Sequence, residues 1–257
     1  MEKQTRLNQS VEKTLQIIET MASAREPMRL GDLAHQVGMP TSTTLRMVNT
    51  LVEHRYAYQD KATLRYALTL KFAQIGSMVS ARFSIRDVAR PYLTALSDRC
   101  DESSCLAIEE DMEVIYLDVV DGPDGMLKIT QRIGKRAPMH STGVGKLLLT
   151  QYAPEQLQRL IQIKGLEQLT PNTKSSFETL QAELNAVRAQ GFALDDEECE
   201  LGARCIAAPI RNYDGRIVAA ISVSGPVSRM TRERALALAP VVTDAAQKIS
   251  AALACAD

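Results

Sequence analysis

LGDLAHQVGMPTSTTLRMVNTL, residues 30–51, holds two short apolar periodicities separated by a glycine. In the first, Leu33, Ala34 and Val37 share one face of a helix expected over about Leu30–Val37, and Gly38 supplies the left-handed stop. After Met39-Pro40-Thr41 a second helix runs from about Ser42 to Glu53, its inward stripe formed by Thr44, Val48 and Leu51 with Met47 and Val52 flanking. Two short helices joined by a tight glycine-containing turn are the core of a helix-turn-helix. The stripe leaves Ser42, Thr43, Leu45, Arg46 and Asn49 on the other faces. Small hydroxyls at a helix start, those of Thr41, Ser42 and Thr43, can donate to phosphate beside free backbone N–H groups. Arg46 and Asn49 suit guanine and adenine edges, or phosphate. Taken alone, this face is more often the solvated polar face of a core helix.

The flanks decide between these readings. Upstream, Ser10 is placed to cap a helix whose Val11, Leu15, Ile18 and Ala22 form one apolar stripe, ending at Glu26-Pro27. Downstream, Tyr56-Ala57-Tyr58-Gln59, the charged tip Asp60-Lys61-Ala62-Thr63 and Leu64-Arg65-Tyr66-Ala67-Leu68 alternate as a hairpin. Three helices and a basic-tipped hairpin make a winged helix, with Lys61 and Arg65 placed to meet the DNA backbone or minor groove. Charge agrees. Residues 1–90 hold 13 Lys/Arg against 8 Asp/Glu, a net of +5, so the chain total of −1 leaves −6 for residues 91–257. Such asymmetry separates a part that meets a polyanion from one that does not. A helix from about Thr69 to Arg82 then leads away from the wing.

SVEKTLQIIE, LGDLAHQVGMPTSTTLRMVNTL, the wing and TLKFAQIG, in that order and spacing from about Ser10 to Gly76, resemble the DNA-binding half of the IclR (isocitrate lyase regulator) family. Two positions depart from its pattern. Thr44 stands where the family usually has an aliphatic residue, and Leu45 where a histidine or aromatic residue is common. Leu45 is therefore expected against a thymine methyl, and the operator sequence does not transfer.

The remainder changes character. A helix is expected from Pro91 to about Arg99, then strands over Ser103–Glu110 and Glu113–Val120 about Asp111-Met112, and a third strand-like run over Gly125–Ile133. Helical periodicity fills Thr142–Ala189, broken at Pro154 and Pro171. Cys205–Arg211 and Arg216–Ser224 form a hairpin about Asn212-Tyr213-Asp214-Gly215, and a last helix spans about Arg232–Leu253. Strand pairs interleaved with helices, without a βαβ rhythm, indicate an α+β domain.

Two stretches carry chemistry here. PMHSTGVGKLLL, Pro138–Leu149, looks like a phosphate loop but has His140 where the first glycine is needed and Leu147 where a magnesium-binding hydroxyl is needed, so nucleotide hydrolysis is not expected. Its glycines either leave the amides of Thr142, Gly143 and Val144 free for an anion or serve only close packing. DDEECELGARCIAAPI, Asp195–Ile210, opens with five acids in six residues, a composition usual for a solvated loop. Together with AAISVSGP, Ala219–Pro226, these stretches resemble the effector domain of the same family. The resemblance implies a pocket for a small organic acid, a keto, sugar or aromatic acid. Gly143 and Val144 would line it, with polar contacts from Asp195, Cys205, Ser222 and Ser224 and apolar walls from Met126 and Ile129. Cys205 with His140 has the residue types of a nucleophile and base, and Cys199, Cys205 and His140 those of metal ligands, but no ligand pair has the tight spacing of a zinc site and a buried cysteine is more often an inert wall; neither a catalytic nor a metal site is expected, nor a cofactor.

The expected organisation is thus α+β: a winged helix-turn-helix over 1–68, a linker helix over 69–86, and a GAF/PAS-like α/β effector-binding and oligomerisation domain over 87–257. The partners are double-stranded operator DNA, a small carboxylate effector and further copies of the chain, as a homodimer or homotetramer joined through the apolar side of Leu70–Val79. No apolar run approaches the roughly 18–20 residues of a membrane helix. The polar MEKQTRLNQS start and the odd number of cysteines, five, fit a cytoplasmic chain with free thiols.

Overall fold

In the computed structural model, which describes residues 8–80, 84–122 and 131–254, the chain divides into two units, Met1–Arg82 and Phe83–Asp257. The first unit begins with α1 (Gln9–Ser23), α2 (Leu30–Gln36) and α3 (Thr41–Glu53). Asn8, not Ser10, caps α1, its Oδ1 accepting from the amides of Ser10 at 3.0 Å and Val11 at 3.4 Å. The inward face of α1 is Ile17 and Met21, while Val11 and Leu15 are about half exposed and Ala22 is exposed. The helix carries two neighbouring stripes at i, i+4 spacing, and periodicity cannot say which one meets the rest of the core. Ile17 and Met21 win because they pack with Leu33, Val48, Leu51 and Tyr66.

The α2–α3 turn follows its sequence closely. Gly38 sits at φ +64°, and its amide and that of Met39 return to the carbonyls of His35 and Ala34. Thr44 is fully buried in the α3 stripe, and its hydroxyl is satisfied by donating to the Pro40 carbonyl at 3.2 Å. The hairpin pairs β1 (Ala57–Gln59) with β2 (Tyr66–Leu68), Ala57 opposite Leu68. Asp60 ties its tip, accepting from the amides of Ala62 and Thr63. Next comes α4 (Lys71–Ser80), the described part of the expected linker helix. It docks on the hairpin through Tyr56, whose ring meets Phe72 and carries the Lys71 ammonium 4.1 Å from its centroid.

The second unit is a six-stranded, fully antiparallel sheet covered on both faces. It opens with α5 (Ile85–Cys100), two turns ahead of the expected start at Pro91. Pro91 lies inside this helix on its exposed side, and Ala89, Leu93, Leu96 and Cys100 bury one continuous face against the sheet. That packing outweighs the single backbone bond a proline removes. β3 (Ser103–Glu110) and β4 (Glu113–Val120) match the expected strands residue for residue, turning on Asp111 and Met112 at φ +55° and +61°. Of the expected Gly125–Ile133 strand, Gly125–Thr130 lies outside the described residues and Gln131–Ile133 is not strand; the strand that pairs with β4 is β5 (Arg136–Ala137).

Helices α6 (Gly143–Leu149), α7 (Pro154–Lys164) and α8 (Phe177–Gln190) follow, Pro154 opening α7 at its first turn where a proline costs nothing. Then come β6 (Ala193–Asp196), β7 (Ala203–Arg211), β8 (Ile217–Pro226) and α9 (Arg232–Ala254). The sheet order is β5-β4-β3-β8-β7-β6. Alternation on β7 and β8 sorts side chains cleanly: Ile206, Ala208, Ile210, Ile221 and Val223 face α5 and α9, while Cys205 and Ala207 join the core under α6, α7 and α8. Both faces being buried, these strands read as almost unbroken small and apolar runs.

Candidate functional site

On the first unit, Thr41, Ser42, Leu45, Arg46 and Asn49 lie on the exposed side of α3, with Thr43 half-buried. The residue before the helix is Pro40, which offers no side-chain cap, while the amides of Thr43 and Thr44 turn back to its carbonyl. The first amides of α3 thus remain for an outside acceptor, and the helix dipole favours an anion there. Among the described residues the side chains of Arg46 and Asn49 have no hydrogen-bond partner, and Lys61 is exposed at the hairpin tip. Arg65 differs. Its guanidinium donates to the Pro27 carbonyl at 3.1 Å and lies 4.0 Å from Glu26, so it braces the hairpin against the α1–α2 loop.

On the second unit, the face of the sheet under α6 bounds a cavity of about 150 Å³. Gly143 and Val144 from α6, Asp195 from β6, Cys205 from β7 and Ser222 and Ser224 from β8 all line it. Strand alternation assembles them, since Asp195 pairs in register with Cys205, and Cys205 with Ser224. The two walls expected from Met126 and Ile129 lie outside the described residues. Tyr116, Gln131, Lys135 and Arg204 also line the cavity. None was expected from sequence, although Tyr116 stands on the correct parity of β4.

Close packing accounts for one of these glycines. A Cβ on Gly145 would fall 2.4 Å from the Cα and the carbonyl oxygen of Met139, so this residue is glycine for close approach. Thr142 caps α6, donating to the Pro138 carbonyl and accepting from the Gly145 amide, which leaves the Gly143 and Val144 amides without an acceptor among the described residues. Gly143 also touches the cysteine: a Cβ there would meet the Cys205 sulfur at 3.4 Å.

The acidic run is not a solvated loop. Asp195 and Glu198 are buried, and Asp196 pairs with Arg204. The organising group is Lys146, entirely buried, whose ammonium donates to Glu183 at 2.8 Å, to Glu198 at 2.6 Å and to the Leu194 carbonyl. Burial pulls its pKa down, but the Glu198 and Glu183 charges outweigh burial and hold it above the ordinary value. The lysine that suggested a phosphate loop is therefore a structural rivet. Asp195 Oδ1 accepts from the amides of Glu198 at 2.8 Å and Cys199 at 3.3 Å. Burial, aided by the Glu198 charge, nevertheless raises its pKa to about 7, against the pull of those amides and Lys146.

The thiols are inert by the same physics. Burial pushes Cys205 and Cys199 up to about 11 and Cys105 up to about 12. His140 Nε2 engages the Glu167 carbonyl at 3.0 Å, so His140 is committed elsewhere and is not a base paired with Cys205. Among the described residues, no group of His, Cys, Asp and Glu is arranged to hold a metal ion, and no helix is long and apolar enough to cross a membrane.

An uncapped recognition-type helix on one unit, and a small cavity with protonated thiols and buried polar groups on the other, define the class of ligand-controlled DNA-binding regulators. Comparison with known proteins gives the family. Residues 10–61 match the IclR helix-turn-helix domain, and residues 77–251 match the bacterial transcriptional regulator IclR C-terminal domain. The chain is 34% identical over 222 residues to the Escherichia coli HTH-type transcriptional regulator XynR, covering 86% of this chain and 88% of that protein. It is 32% identical over 246 residues to the E. coli transcriptional repressor IclR, covering 95% and 89%. The crystal structure of Thermotoga maritima IclR superposes with a TM-score of 0.62 at 29% identity, over 95% of this chain and 98% of that one. The chain belongs to the IclR family of bacterial transcriptional regulators. It is a regulator, not an enzyme, with a helix-turn-helix DNA-binding domain and a C-terminal effector domain.

Proposed function

We propose that this regulator acts in the cytoplasm on a catabolic operon, as a homodimer or homotetramer whose operator affinity is set by a small carboxylate. Its parts would be the winged helix at 1–68, the linker at 69–86 and the effector and oligomerisation domain at 87–257. Thr41, Ser42 and Thr43 would hold phosphate at the start of α3, with Lys61 and Arg65 on the flanking backbone. Arg46 and Asn49 would read base edges, and Leu45, 37% exposed, would take a thymine methyl. Self-association follows from the chemistry of the site, because one helix-turn-helix covers only a half-site. The exposed Ile75 and Met78 on α4, with exposed Leu70 just before it, support an interface there.

The observation that carries the effector reading is the cavity. Its volume, about 150 Å³, is on the scale of one that holds benzene, roughly six heavy atoms. That suits a small keto, hydroxy or aromatic acid better than an extended ligand. Amides of Gly143 and Val144 and the hydroxyls of Ser222 and Ser224 supply donors for a carboxylate, with Cys205 as an inert wall. Met126 and Ile129 are assigned as apolar walls on family resemblance alone. A thermal-shift screen of such acids tests this. A true ligand at 100 times its Kd adds about 2.7 kcal/mol to the native state. Ser224→Ala should abolish the shift, and an undiminished shift in that variant would remove the cavity from the account.

A further inference from the structure

Resting on that reading of the cavity, we propose that Asp195 meets the effector as a neutral acid, donating its own proton to the effector carboxylate, so that each ligand is captured together with one proton. Geometry restricts the carboxyl to this role. Asp195 is 7% exposed, and its Oδ1 already carries the Glu198 and Cys199 amides. Only Oδ2 remains to face a ligand in the cavity it lines. An ionised Oδ2 beside an incoming carboxylate would set two like charges together in a buried site.

Every charged or titratable group around it bears on the choice. Glu198 and Cys199 lie in the loop that follows β6, and the Glu198 charge disfavours ionisation of Asp195. Cys205 on β7 and Tyr116 on β4 face it as neutral groups, both held above their ordinary pKa by burial. Lys146 on α6 is the nearby cation, but its ammonium is committed to Glu183, Glu198 and the Leu194 carbonyl. Arg204 on β7 is committed to Asp196 and the Met230 carbonyl, and Arg136 to Glu110 and Glu113. Glu200 adds a further negative charge at the cavity lining, while exposed Lys135 is the lining cation that could serve an effector instead. Near neutral pH the carboxyl of Asp195 is poised between its two forms. Binding a carboxylate draws it fully to the acid, and the proton taken up comes from solvent.

Pyruvate, lactate and benzoate, all ionised between pH 6 and 8, serve as keto, hydroxy and aromatic probes on the full-length protein. For whichever binds, isothermal titration calorimetry in buffers of different ionisation enthalpy counts protons. A group half-ionised near pH 7 predicts uptake of about 0.9 proton per site at pH 8 and about 0.1 at pH 6, with affinity about tenfold weaker at pH 8. Asp195→Asn keeps a donor at the same place and removes the titration, so its affinity should vary less than twofold over that range. Zero uptake with flat wild-type affinity overturns the proposal and points to Lys135 as the carboxylate partner. That wild-type result decides even if the variant does not fold. If none of the three acids binds at millimolar concentration, the effector reading itself fails and the proposal falls with it.

Discussion

Replacing Lys146 by Met removes a buried ammonium while keeping the bulk of the side chain, so the loss reports the ion cluster and not a cavity. Wild-type Lys146 has a side chain 0% exposed, with Glu198 at 3% and Glu183 at 24%. After the change Glu183 can turn to water, but Glu198 cannot. Among the described residues its Oε2 already lacks a partner, and Oε1 loses its only cation. The Leu194 carbonyl loses a donor as well. Breaking one side of a buried pair costs about 3–5 kcal/mol. Far-UV circular dichroism during urea unfolding is the suitable assay, because the chain has no tryptophan. With a slope of about 2 kcal/mol per molar urea, the midpoint should fall by roughly 1.5–2.5 M. Adding Glu198→Gln to Lys146→Met neutralises the stranded carboxylate and should recover at least about 1 kcal/mol. A midpoint shift below 0.3 M, about 0.6 kcal/mol at that slope, or no recovery in the double variant, refutes the rivet.

Gly145→Ala places a methyl 2.4 Å from the Met139 backbone and should cost about 1–3 kcal/mol, whereas Gly31→Ala in α2 meets nothing within 4 Å and should stabilise by about 0.4–1 kcal/mol; the same urea titrations compare them. Asp195→Asn should raise stability at pH 8. The folded pKa of Asp195, about 7 against an ordinary 3.8, means the native state keeps a proton the unfolded chain sheds, so wild-type stability falls between about pH 4 and 7 and is flat above. The gain, up to about 4 kcal/mol at pH 8, should vanish at pH 4 in thermal melts. Arg46→Ala with Asn49→Ala should weaken operator binding at least tenfold, since each base-edge pair contributes about 1–3 kcal/mol; unchanged retention of DNA would remove α3 as the reading helix. Leu70→Ser with Met78→Ser should dissociate the oligomer in analytical ultracentrifugation if α4 is the interface.

The parts of the fold legible in sequence are those whose signal is local. Gly38 fixes the α2–α3 turn, Asp111-Met112 the β3–β4 hairpin and Asn212–Gly215 the β7–β8 hairpin, each through backbone conformations few residues favour. What escaped depends on partners far away in the chain. β5 has only two residues and exists because β4 offers an edge. β6 hides in the acidic run, and only pairing with β7 turns those acids into strand residues. Lys146 cannot be recognised as buried without Glu183 and Glu198, 37 and 52 residues downstream. On α1 periodicity points to the stripe of Val11, Leu15, Ile18 and Ala22, but the neighbouring Ile17 and Met21 are the buried pair and Val11 and Leu15 stay exposed, a choice made by the packing partners. The cavity polar set was legible through resemblance to the family alone. Its pKa landscape was not, because burial is a property of the assembled sheet.

The most direct test joins the two units in one titration. Fluorescence anisotropy on a labelled duplex from the region upstream of the chain's own gene should show tight binding that weakens steeply with salt, as counterion release requires. Adding the acid that gives the largest thermal shift should change that affinity at least fivefold, in either direction, and Ser224→Ala should erase the change while leaving DNA affinity intact. Affinity that is flat in salt, or identical with and without the acid, contradicts the account of a helix-turn-helix governed by a carboxylate in the α6 cavity.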